Sequence, residues 1–580
     1  MGYEIWDMMV VPDNTSYLIS HTSYLISHTS YLIPHISYLP FVPITTEPYH
    51  MPQIVELVLL PQERENQALI LQKAARQSSL KPEQVAHIEI LKSSLDARSR
   101  QAVFRVRAEV YGPGEVYVPE PAMLDGFKPV DGRKKVVVVG AGPAGYFAAL
   151  ELLELGVKPI VLDRGNDVQL RRRDLRAIQQ FGEVNPDSNY CFGEGGAGTY
   201  SDGKLYTRSV KRGNVYKSLK LLVEHGAKSD ILTEAHPHIG SNKLPGVVQN
   251  IRQTILHYGG EVHFAHRVVD FILSGQKMIG VRTEHVGNGQ SGEFLADAVI
   301  LATGHSARDI YRLLHAKGIR IEPKPFALGV RVEHPQPLID SIQYKQAHRA
   351  DELPAASYSL VCQVGGRGVF SFCMCPGGLI VPSATAPGEI VVNGMSMSRR
   401  DSPYANSGMV TSVEPEDLAP WAKHGVFSAM EFQAEAEQRL FAAGDGSQKG
   451  PALRLPDFIA GKLSVDLPKS SYIPGLYPAP LFEILPDFIY KRLRDGLADF
   501  GRQMRGFYTQ EANVVATESR TSAPVRIPRD PDSLMHPQTE GLYPCGEGAG
   551  YAGGIISAAM DGQNVARAVE RWLERGSGRG

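Results

Sequence analysis

The chain has 580 residues, of which 43% are hydrophobic and 21% charged, so it can bury a large core and hold more than one domain. A formal net charge of −2 at pH 7 and the lack of any apolar run near the roughly 18 residues of a membrane span argue against nucleic-acid binding and stable membrane insertion. Five cysteines are too few, and odd in number, for a disulfide framework, so we expect a cytoplasmic protein.

The first 50 residues contain a seven-residue repeat. Residues 15–21 read TSYLISH, residues 22–28 repeat them, and residues 29–35 read TSYLIPH. Tyr, Leu and Ile are adjacent in each unit rather than separated as the a and d positions of a coiled coil, and no flanking charges accompany them. Such identity is typical of a tandem DNA repeat read through by translation. We therefore expect a disordered extension over residues 1–50 and a functional start at Met51.

Residues 51–118 have the pattern of a small α+β domain. An apolar stretch at Ile54–Leu60, a helical pattern at Gln67–Arg76 and an alternating strand at Ala102–Val110 follow one another, without a glycine loop. A linker rich in proline and glycine ends near residue 131. The function of this small domain cannot be read from its sequence.

The strongest motif begins at Val136–Val139, four valines that predict a strand buried on both faces. They lead into GAGPAG, in which Gly140, Gly142 and Gly145 have the G-x-G-x-x-G spacing of a dinucleotide-binding turn, followed by an apolar helix. A second buried strand ends in Asp163, 23 residues after Gly140, where an acid would accept hydrogen bonds from a ribose hydroxyl. Strand, turn, helix, strand and acid together predict a Rossmann-like unit.

A second glycine cluster, FGEGGAGTYSDGK, covers residues 192–204. Five glycines in so short a segment predict a loop whose backbone approaches something closely, for example the pyrophosphate and ribityl chain of a dinucleotide. Ser201 and Lys204 would add a hydroxyl and a cation to those contacts. A flexible surface loop is the alternative.

The middle of the chain offers several candidate groups. His236 and His238 have the spacing of a metal clip on a strand, but no third ligand follows at a metal-site spacing, so no metal is expected. The strand at 297–302 leads to a turn at Thr303 and Gly304. Residues 306–510 are irregular and rich in proline, which is typical of a cap or substrate domain.

Cys373 and Cys375 lie in the segment FSFCMCPGG of this cap. On a regular strand they would point to one face with their Cα atoms about 6.6 Å apart, just within the range of a disulfide. A redox-active pair and two ordinary buried thiols are both consistent with this pattern, and the ordinary thiols are favoured.

The last segment, YPCGEGAGYAGGIIS, returns to the features of a nucleotide site. A strand ends in Gly546 and Glu547, whose carboxylate can accept from a sugar or ribityl hydroxyl. Gly553 and Gly554 then open an amphipathic helix, and the N-terminus of a helix stabilises negative charge. In a flavin enzyme that charge would be the reduced isoalloxazine ring.

The motifs GAGPAG, VLDR, FGEGGAGTYSDGKL, ILATGHSARD, FSFCMCPGG, ATESRTSAPVRI and YPCGEGAGYAGGI resemble those of the bacterial FAD-dependent dehydrogenase family, over about residues 51–575. The resemblance implies an α/β fold with a discontinuous Rossmann-like FAD/NAD(P)-binding domain at 131–305 plus 511–575. An α+β cap is inserted at 306–510, and a ferredoxin-like domain precedes them at 51–118. No second G-x-G-x-x-G lies between residues 260 and 303, so the architecture resembles that of flavoprotein hydroxylases and geranylgeranyl reductases.

The resemblance also implies non-covalent FAD, with its phosphates at the two glycine loops, ribose at Asp163, adenine at Val268, ribityl at Glu547 and the flavin at Gly554 and Ile555. The full set of expected FAD contacts is Gly140, Gly142, Pro143, Ala144, Gly145, Asp163, Arg164, Gly195, Gly196, Ala197, Ser201, Gly203, Lys204, Val268, Thr303, Gly304, Gly546, Glu547, Gly553, Gly554 and Ile555.

The sequence thus predicts an FAD-dependent oxidoreductase acting on a small molecule, with NADH or NADPH as a possible transient electron donor. Arg520 and Arg526 are candidate substrate anchors, because guanidinium groups can bind a carboxylate bidentately, although structural ion pairs are an equal alternative. Cys373 and Cys375 are candidate electron relays. An electron carrier with a protein partner is the alternative function, and a flavin-dependent RNA-modifying protein is disfavoured because no basic stripe is present.

Overall fold

The computed structural model of the protein describes residues 51–99, 101–207 and 210–577, so the seven-residue repeat lies outside the described residues. The α-helices of the described chain are Gln67–Gln77, Pro143–Glu154, Val168–Phe181, Val215–Glu224, Leu244–His257, Arg308–Ala316, Gln336–Tyr344, Ser428–Ala442, Leu455–Ala460, Leu481–Ile484, Asp487–Gln503 and Ile555–Ser577.

A three-stranded antiparallel sheet begins the described chain. Its strands lie in the order Gln53–Leu59, Val103–Tyr111, His87–Asp96, and the helix Gln67–Gln77 covers one face. Alternate residues of the first strand, Val55 and Leu57 among them, are buried under this helix. The sequence pattern does not indicate the strand His87–Asp96, because its residues are half-buried or exposed and show no clean apolar alternation.

The predicted Rossmann-like α/β fold is confirmed by a five-stranded parallel sheet. Its order is Leu542–Pro544, Ala298–Leu301, Lys135–Val139, Lys158–Leu162, Glu261–His263, with the four-valine strand at the centre. The helices Pro143–Glu154 and Ile555–Ser577 pack against each other beside it. Because all strands run in one direction, the turns that follow them meet at one edge of the sheet, which is where ligands bind in such folds.

A seven-stranded sheet forms the second core. Its order is Val361–Val364, Arg367–Cys375, Tyr404–Val413, Phe326–Pro335, Asn513–Glu518, Gly450–Arg454, Leu476–Pro478, antiparallel except for the last pair. The strand Asn513–Glu518 follows the expected cap boundary at residue 510, yet it pairs with two strands of this sheet. All residues of this strand are buried, so their backbone groups must find hydrogen-bond partners within the sheet. The strand therefore pairs with the large sheet even though it follows the expected boundary.

The smaller sheets complete the described chain. Residues 266–295 form three antiparallel strands, His266–Ser274, Lys277–His285 and Ser291–Leu295, in place of a second dinucleotide-binding unit. Two antiparallel pairs join Glu322–Pro323 with Val525–Arg526 and Gly378–Pro382 with Val392–Ser396. No helix in the described part of the chain is long and apolar enough to cross a membrane.

Candidate cofactor and substrate site

A cleft with a cavity volume of about 360 Å³ opens at the carboxyl edge of the parallel sheet, and we call it the cofactor cleft. Every residue expected to contact FAD lines it except Gly145, Gly195 and Gly546. These three lie behind the wall, where an added Cβ would clash with Gly140 O at 1.9 Å, Thr199 Oγ1 at 1.7 Å and Ala144 Cβ at 2.8 Å, respectively. Glycine is therefore needed at these three positions for packing. The assignment of each lining residue to one part of FAD stays a prediction.

Two glycine turns lie against each other in the wall of the cleft. Gly140 turns the chain with φ of +108°, and a Cβ there would lie 2.4 Å from Ala302 O. Gly196 adopts φ of +57°, and its Cβ would lie 3.1 Å from Gly142 Cα. The two turns are therefore in contact, and together they line the cleft with backbone at the N-terminus of the helix Pro143–Glu154, which suits a pyrophosphate group.

The second glycine loop is held by Arg171, which is fully buried. Its guanidinium donates to five backbone carbonyls, with bonds of 2.7–3.3 Å to Asn189, Tyr190, Gly193, Glu194 and Gly196. The loop is therefore a fixed wall of the cleft and differs in this respect from a flexible surface loop.

Asp163 lies where the sequence predicts, but its carboxylate already accepts three backbone N–H groups. Oδ2 accepts from Ala141 at 2.9 Å, and Oδ1 accepts from Gly165 at 2.9 Å and Gly193 at 3.0 Å. A carboxylate has about four acceptor positions, so one remains for a ribose hydroxyl. Asp163 thus ties both glycine turns to the strand end, in addition to its predicted role.

The far end of the cleft is formed by Glu547 and by Gly553 and Gly554, which precede the helix Ile555–Ser577. Burial raises the pKa of Glu547 to about 7, against the opposing effect of Lys324. Two buried donors nearby also lack protein partners, Thr303 Oγ1 and Arg520 Nη1, and both residues line the cleft. Unpaired buried donors are costly, so they indicate a ligand with acceptor atoms, as FAD has.

Cys373 also lines the cofactor cleft, but not on a regular strand. Its strand loses register between Phe372 and Cys375, and Cys373 has φ of +45°. Both cysteines are free thiols, and Cys375 Sγ donates to Cys373 O at 3.2 Å. The Cys375 thiol, with Lys204 and Arg331, lowers the pKa of Cys373 to about 6, while the pKa of Cys375 is raised, so Cys373 is the more acidic thiol of the pair.

The two candidate substrate anchors, Arg520 and Arg526, lie in different places relative to the cleft. Arg520 lines the cleft, but it binds Glu437 through two bonds of 2.7 and 2.9 Å and Glu389 at 3.2 Å, which leaves only Nη1 for a ligand. Arg526 is not among the lining residues and lies over the ring of Tyr551, 5.6 Å from its centroid. The structure therefore brings Arg520 to the site and leaves Arg526 outside it.

A second cavity of about 280 Å³, which we call the side chamber, adjoins the cleft. Lys204, Tyr206 and Cys373 line both cavities, while Arg400, Ser357 and Ser359 line the side chamber alone. His236 lies on its wall, and the backbone of His238 bridges to that of Lys204. No group of three His, Cys, Asp or Glu in the described residues could hold a metal ion.

The buried position of Arg171 is indicated by the spacing of the residues around it. Val168, Arg171, Leu175 and Ile178 are spaced three, four and three residues apart, which places the arginine on the buried face of the helix Val168–Phe181. For Arg331 no such signal exists. It is buried on the strand Phe326–Pro335 and contacts Glu518 at 2.8 Å and Asn406 at 2.6 Å, residues far away in sequence.

Comparison with known proteins gave three family-model matches. Residues 134–335 match the pyridine nucleotide-disulphide oxidoreductase model, residues 325–521 match the FAD-dependent protein, C-terminal domain-like model, and residues 51–111 match a domain of unknown function, DUF8436. An "Uncharacterized protein" of Clostridium beijerinckii is 38% identical over 520 residues, which cover 86% of this chain and 95% of that one.

Solved structures are similar at much lower identity. A flavoprotein/dehydrogenase from Cytophaga hutchinsonii is 11% identical over 76% of this chain and 79% of that chain, with a TM-score of 0.35. A geranylgeranyl bacteriochlorophyll reductase-like protein from Thermoplasma acidophilum is 12% identical over 76% and 80%, with a TM-score of 0.32.

Proposed function

The chain belongs to a family of bacterial FAD-dependent proteins represented by the Clostridium beijerinckii relative, and from this premise we propose that it is a dehydrogenase or reductase that transfers hydride or electrons between FAD and a small molecule. FAD is its cofactor, and the oxidoreductase class follows from the family. The direction of transfer and the substrate are the proposal.

One observation carries this proposal: the cofactor cleft and the side chamber share Lys204, Tyr206 and Cys373 as lining residues. A cofactor that extends along the cleft from Asp163 to Gly554 would present its far end to a cavity large enough for a small organic molecule. An electron carrier needs no such chamber, so the shared wall favours an enzyme.

FAD, when bound, supplies a flavin that accepts or donates two electrons, and the protein binds, orients and shields it. Arg171 and Asp163 fix the two glycine turns, and Arg331, paired with Glu518, fixes the strand that carries Cys373 by donating to Cys373 O at 3.3 Å. Cys373 lines both cavities and has a lowered pKa, so it can exchange a proton with a substrate in the side chamber or interact with the cofactor.

The test is a visible spectrum of the purified protein, followed anaerobically as NADH or NADPH is added. A flavin spectrum that bleaches within seconds supports an enzyme reduced directly by a pyridine nucleotide. A flavin that stays oxidised with both nucleotides, and is reduced only by a protein reductant, supports the electron-carrier alternative. Purified protein that neither contains nor takes up FAD would refute the cofactor assignment.

A further inference from the structure

The side chamber carries a positive charge that the proposed function does not yet explain. Arg400 and Lys204 line it, and no Asp or Glu is among the described residues of its wall. Serine and tyrosine hydroxyls, from Ser357 to Ser359, form another part of the wall. A small cavity with cations and neutral hydroxyls, and without carboxylates, is suited to an anion.

The two cations share a single buried carboxylate. Asp202, which is 1% exposed, accepts from Arg400 Nη2 at 2.7 Å and lies 3.5 Å from Lys204 Nζ. Its remaining hydrogen bond comes from the Ser396 hydroxyl. Asp202 therefore balances one of the two positive charges, and the second stays uncompensated while Cys373, which lines the same wall, is protonated.

Arg400 is also held in place with an unused donor. It adopts φ of +51°, and its carbonyl lies so close to Gly377 that a Cβ there would be 1.8 Å from the oxygen. The glycines of the FSFCMCPGG motif thus let the Arg400 backbone approach. Arg400 Nε is buried and has no hydrogen-bond partner, so it is available to an acceptor in the chamber.

We infer that the side chamber binds the carboxylate of a small monocarboxylic acid, with Arg400 and Lys204 as its anchors and the rest of the substrate directed toward Cys373 and the cofactor cleft. With Cys373 in its thiol form a single positive charge is uncompensated, which matches a monoanion better than a phosphate dianion. The lack of an acidic side chain in the described wall leaves a substrate ammonium unpaired, so a hydroxy, keto or aromatic acid is favoured over an amino acid. This inference rests on the proposed function, because it places the substrate beside FAD.

The test measures binding to the oxidised, FAD-loaded protein without turnover, by calorimetry and by the flavin difference spectrum. Sodium benzoate is the probe, benzamide its neutral isostere and inorganic phosphate the competing anion. We expect benzoate to bind at least about tenfold more tightly than benzamide or phosphate, because a guanidinium bond to a charged acceptor is worth about 1.5–3 kcal/mol.

Three variants assign the effect to this site. Arg400→Gln is expected to weaken benzoate binding about tenfold or more, and Arg400→Lys to restore part of it, because the charge returns without the planar fork. The exposed neighbour gives the matched control, Arg399→Gln, which should leave benzoate binding unchanged. Asp202→Asn removes the counter-charge and is expected to strengthen benzoate binding, the opposite sign from Arg400→Gln.

Equal binding of benzoate and benzamide, tighter binding of phosphate, or unchanged benzoate binding in Arg400→Gln would overturn the inference. A lack of any carboxylate binding to the FAD-loaded protein would do the same. If Arg400→Gln loses its FAD or fails to fold, two other measurements still test the carboxylate site. These are the affinity of benzoate relative to benzamide and the direction in which Asp202→Asn changes benzoate binding. A protein that neither contains nor takes up FAD would refute the proposed function. FAD-loaded protein that does not bind benzoate would refute only the carboxylate site, so the two outcomes can be told apart.

Discussion

The cofactor cleft and the side chamber meet at Lys204 and Cys373, yet they are built differently. The cleft is made largely of backbone, from turns that follow parallel strands and are dense in glycine. The side chamber is made of side chains from separate segments, at 204–206, 236–237, 357–359, 371–376 and 400, and it depends on buried charges such as Asp202. A wall of backbone leaves a local motif in the sequence, whereas a wall of distant side chains does not.

The largest expected effect tests the backbone wall. In Gly140→Ala the residue must keep φ of +108° and its Cβ would lie 2.4 Å from Ala302 O. We expect loss of FAD binding and a fall of about 3 kcal/mol or more in the free energy of unfolding, from strain and overpacking together. The ratio of flavin to protein absorbance and urea denaturation measure the two effects.

The matched control is Gly246→Ala, which lies in the helix Leu244–His257 with no atom within 4 Å of the added Cβ. Alanine is the better helix former, so this variant should be neutral or stabilised by up to about 1 kcal/mol. A Gly140→Ala protein that retains its full FAD content would show that the turn is more adaptable than its geometry implies.

The next prediction asks how far the backbone wall depends on one side chain. Arg171→Met leaves five carbonyls of the second glycine loop without their donor. We expect a loss of about 3 kcal/mol in stability and at least tenfold weaker FAD binding, because unpaired buried acceptors are costly.

Arg173→Met, an exposed position on the same helix, is the control with the same chemical change and should alter neither quantity. Titration of the flavin-free proteins with FAD compares them directly. Equal FAD affinities for the two variants would mean that the loop orders itself around the cofactor without Arg171.

The side-chain wall is tested through Cys373. Because the Cys375 thiol is the largest cause of the lowered pKa, Cys375→Ala should move the midpoint for alkylation of Cys373 upward from about 6 toward the ordinary thiol value of 9.0. A rise of two pKa units would lower the alkylation rate at pH 7 about tenfold, since only the thiolate reacts. Iodoacetamide labelling followed by peptide mass spectrometry gives the rate at each cysteine.

Cys362 serves as the internal control in the same samples, because burial raises its pKa to about 11 and keeps it largely protonated at pH 7. Its slow labelling should be the same with and without Cys375→Ala. An unchanged midpoint at Cys373 would mean that Lys204 and Arg331 alone lower its pKa, without a contribution from the Cys375 thiol.

The contrast between a wall of backbone and a wall of distant side chains also explains which features could be predicted from the sequence. Val136–Val139, the glycine turns and Asp163 are contiguous or at a known separation, so the parallel sheet and its edge follow from local pattern. The strand Asn513–Glu518 could not be assigned to the large sheet, because its pairing with Phe326–Pro335 joins segments far apart in the chain. Arg520 was identified as a candidate, but its bonds to Glu437 depend on such a distant contact too.

Asp202 shows most clearly what the sequence alone cannot predict. Within its own segment it is one polar residue among several, and its significance comes from Arg400, 198 residues later. Spacing and composition carry no information about that pairing. The bulge at Cys373 is similar, because the loss of register depends on the partner strand Tyr404–Val413.

A further effect depends on pH and concerns Glu547, at the far end of the cofactor cleft. Burial raises the pKa of Glu547 from its usual 4.5 to about 7, so the folded protein holds this proton more tightly than the unfolded chain. Its contribution to stability is therefore present below about pH 4.5 and is lost as the pH rises toward 7. Glu547→Gln, which cannot ionise, should match the parent at about pH 4.5 and be more stable by about 3 kcal/mol at about pH 8, because each unit of the pKa shift is worth about 1.4 kcal/mol.

The measurement is thermal unfolding at the two pH values, with flavin content matched between proteins. Glu540→Gln, at an exposed position of the same segment, is the control and should leave the pH dependence unchanged. If Glu547→Gln were instead less stable than the parent at the higher pH, the carboxylate would be charged and paired in the folded protein. Lys324, the one cation among the causes of its pKa shift, would then be its partner, and that end of the cleft would carry an ion pair in place of a neutral acid.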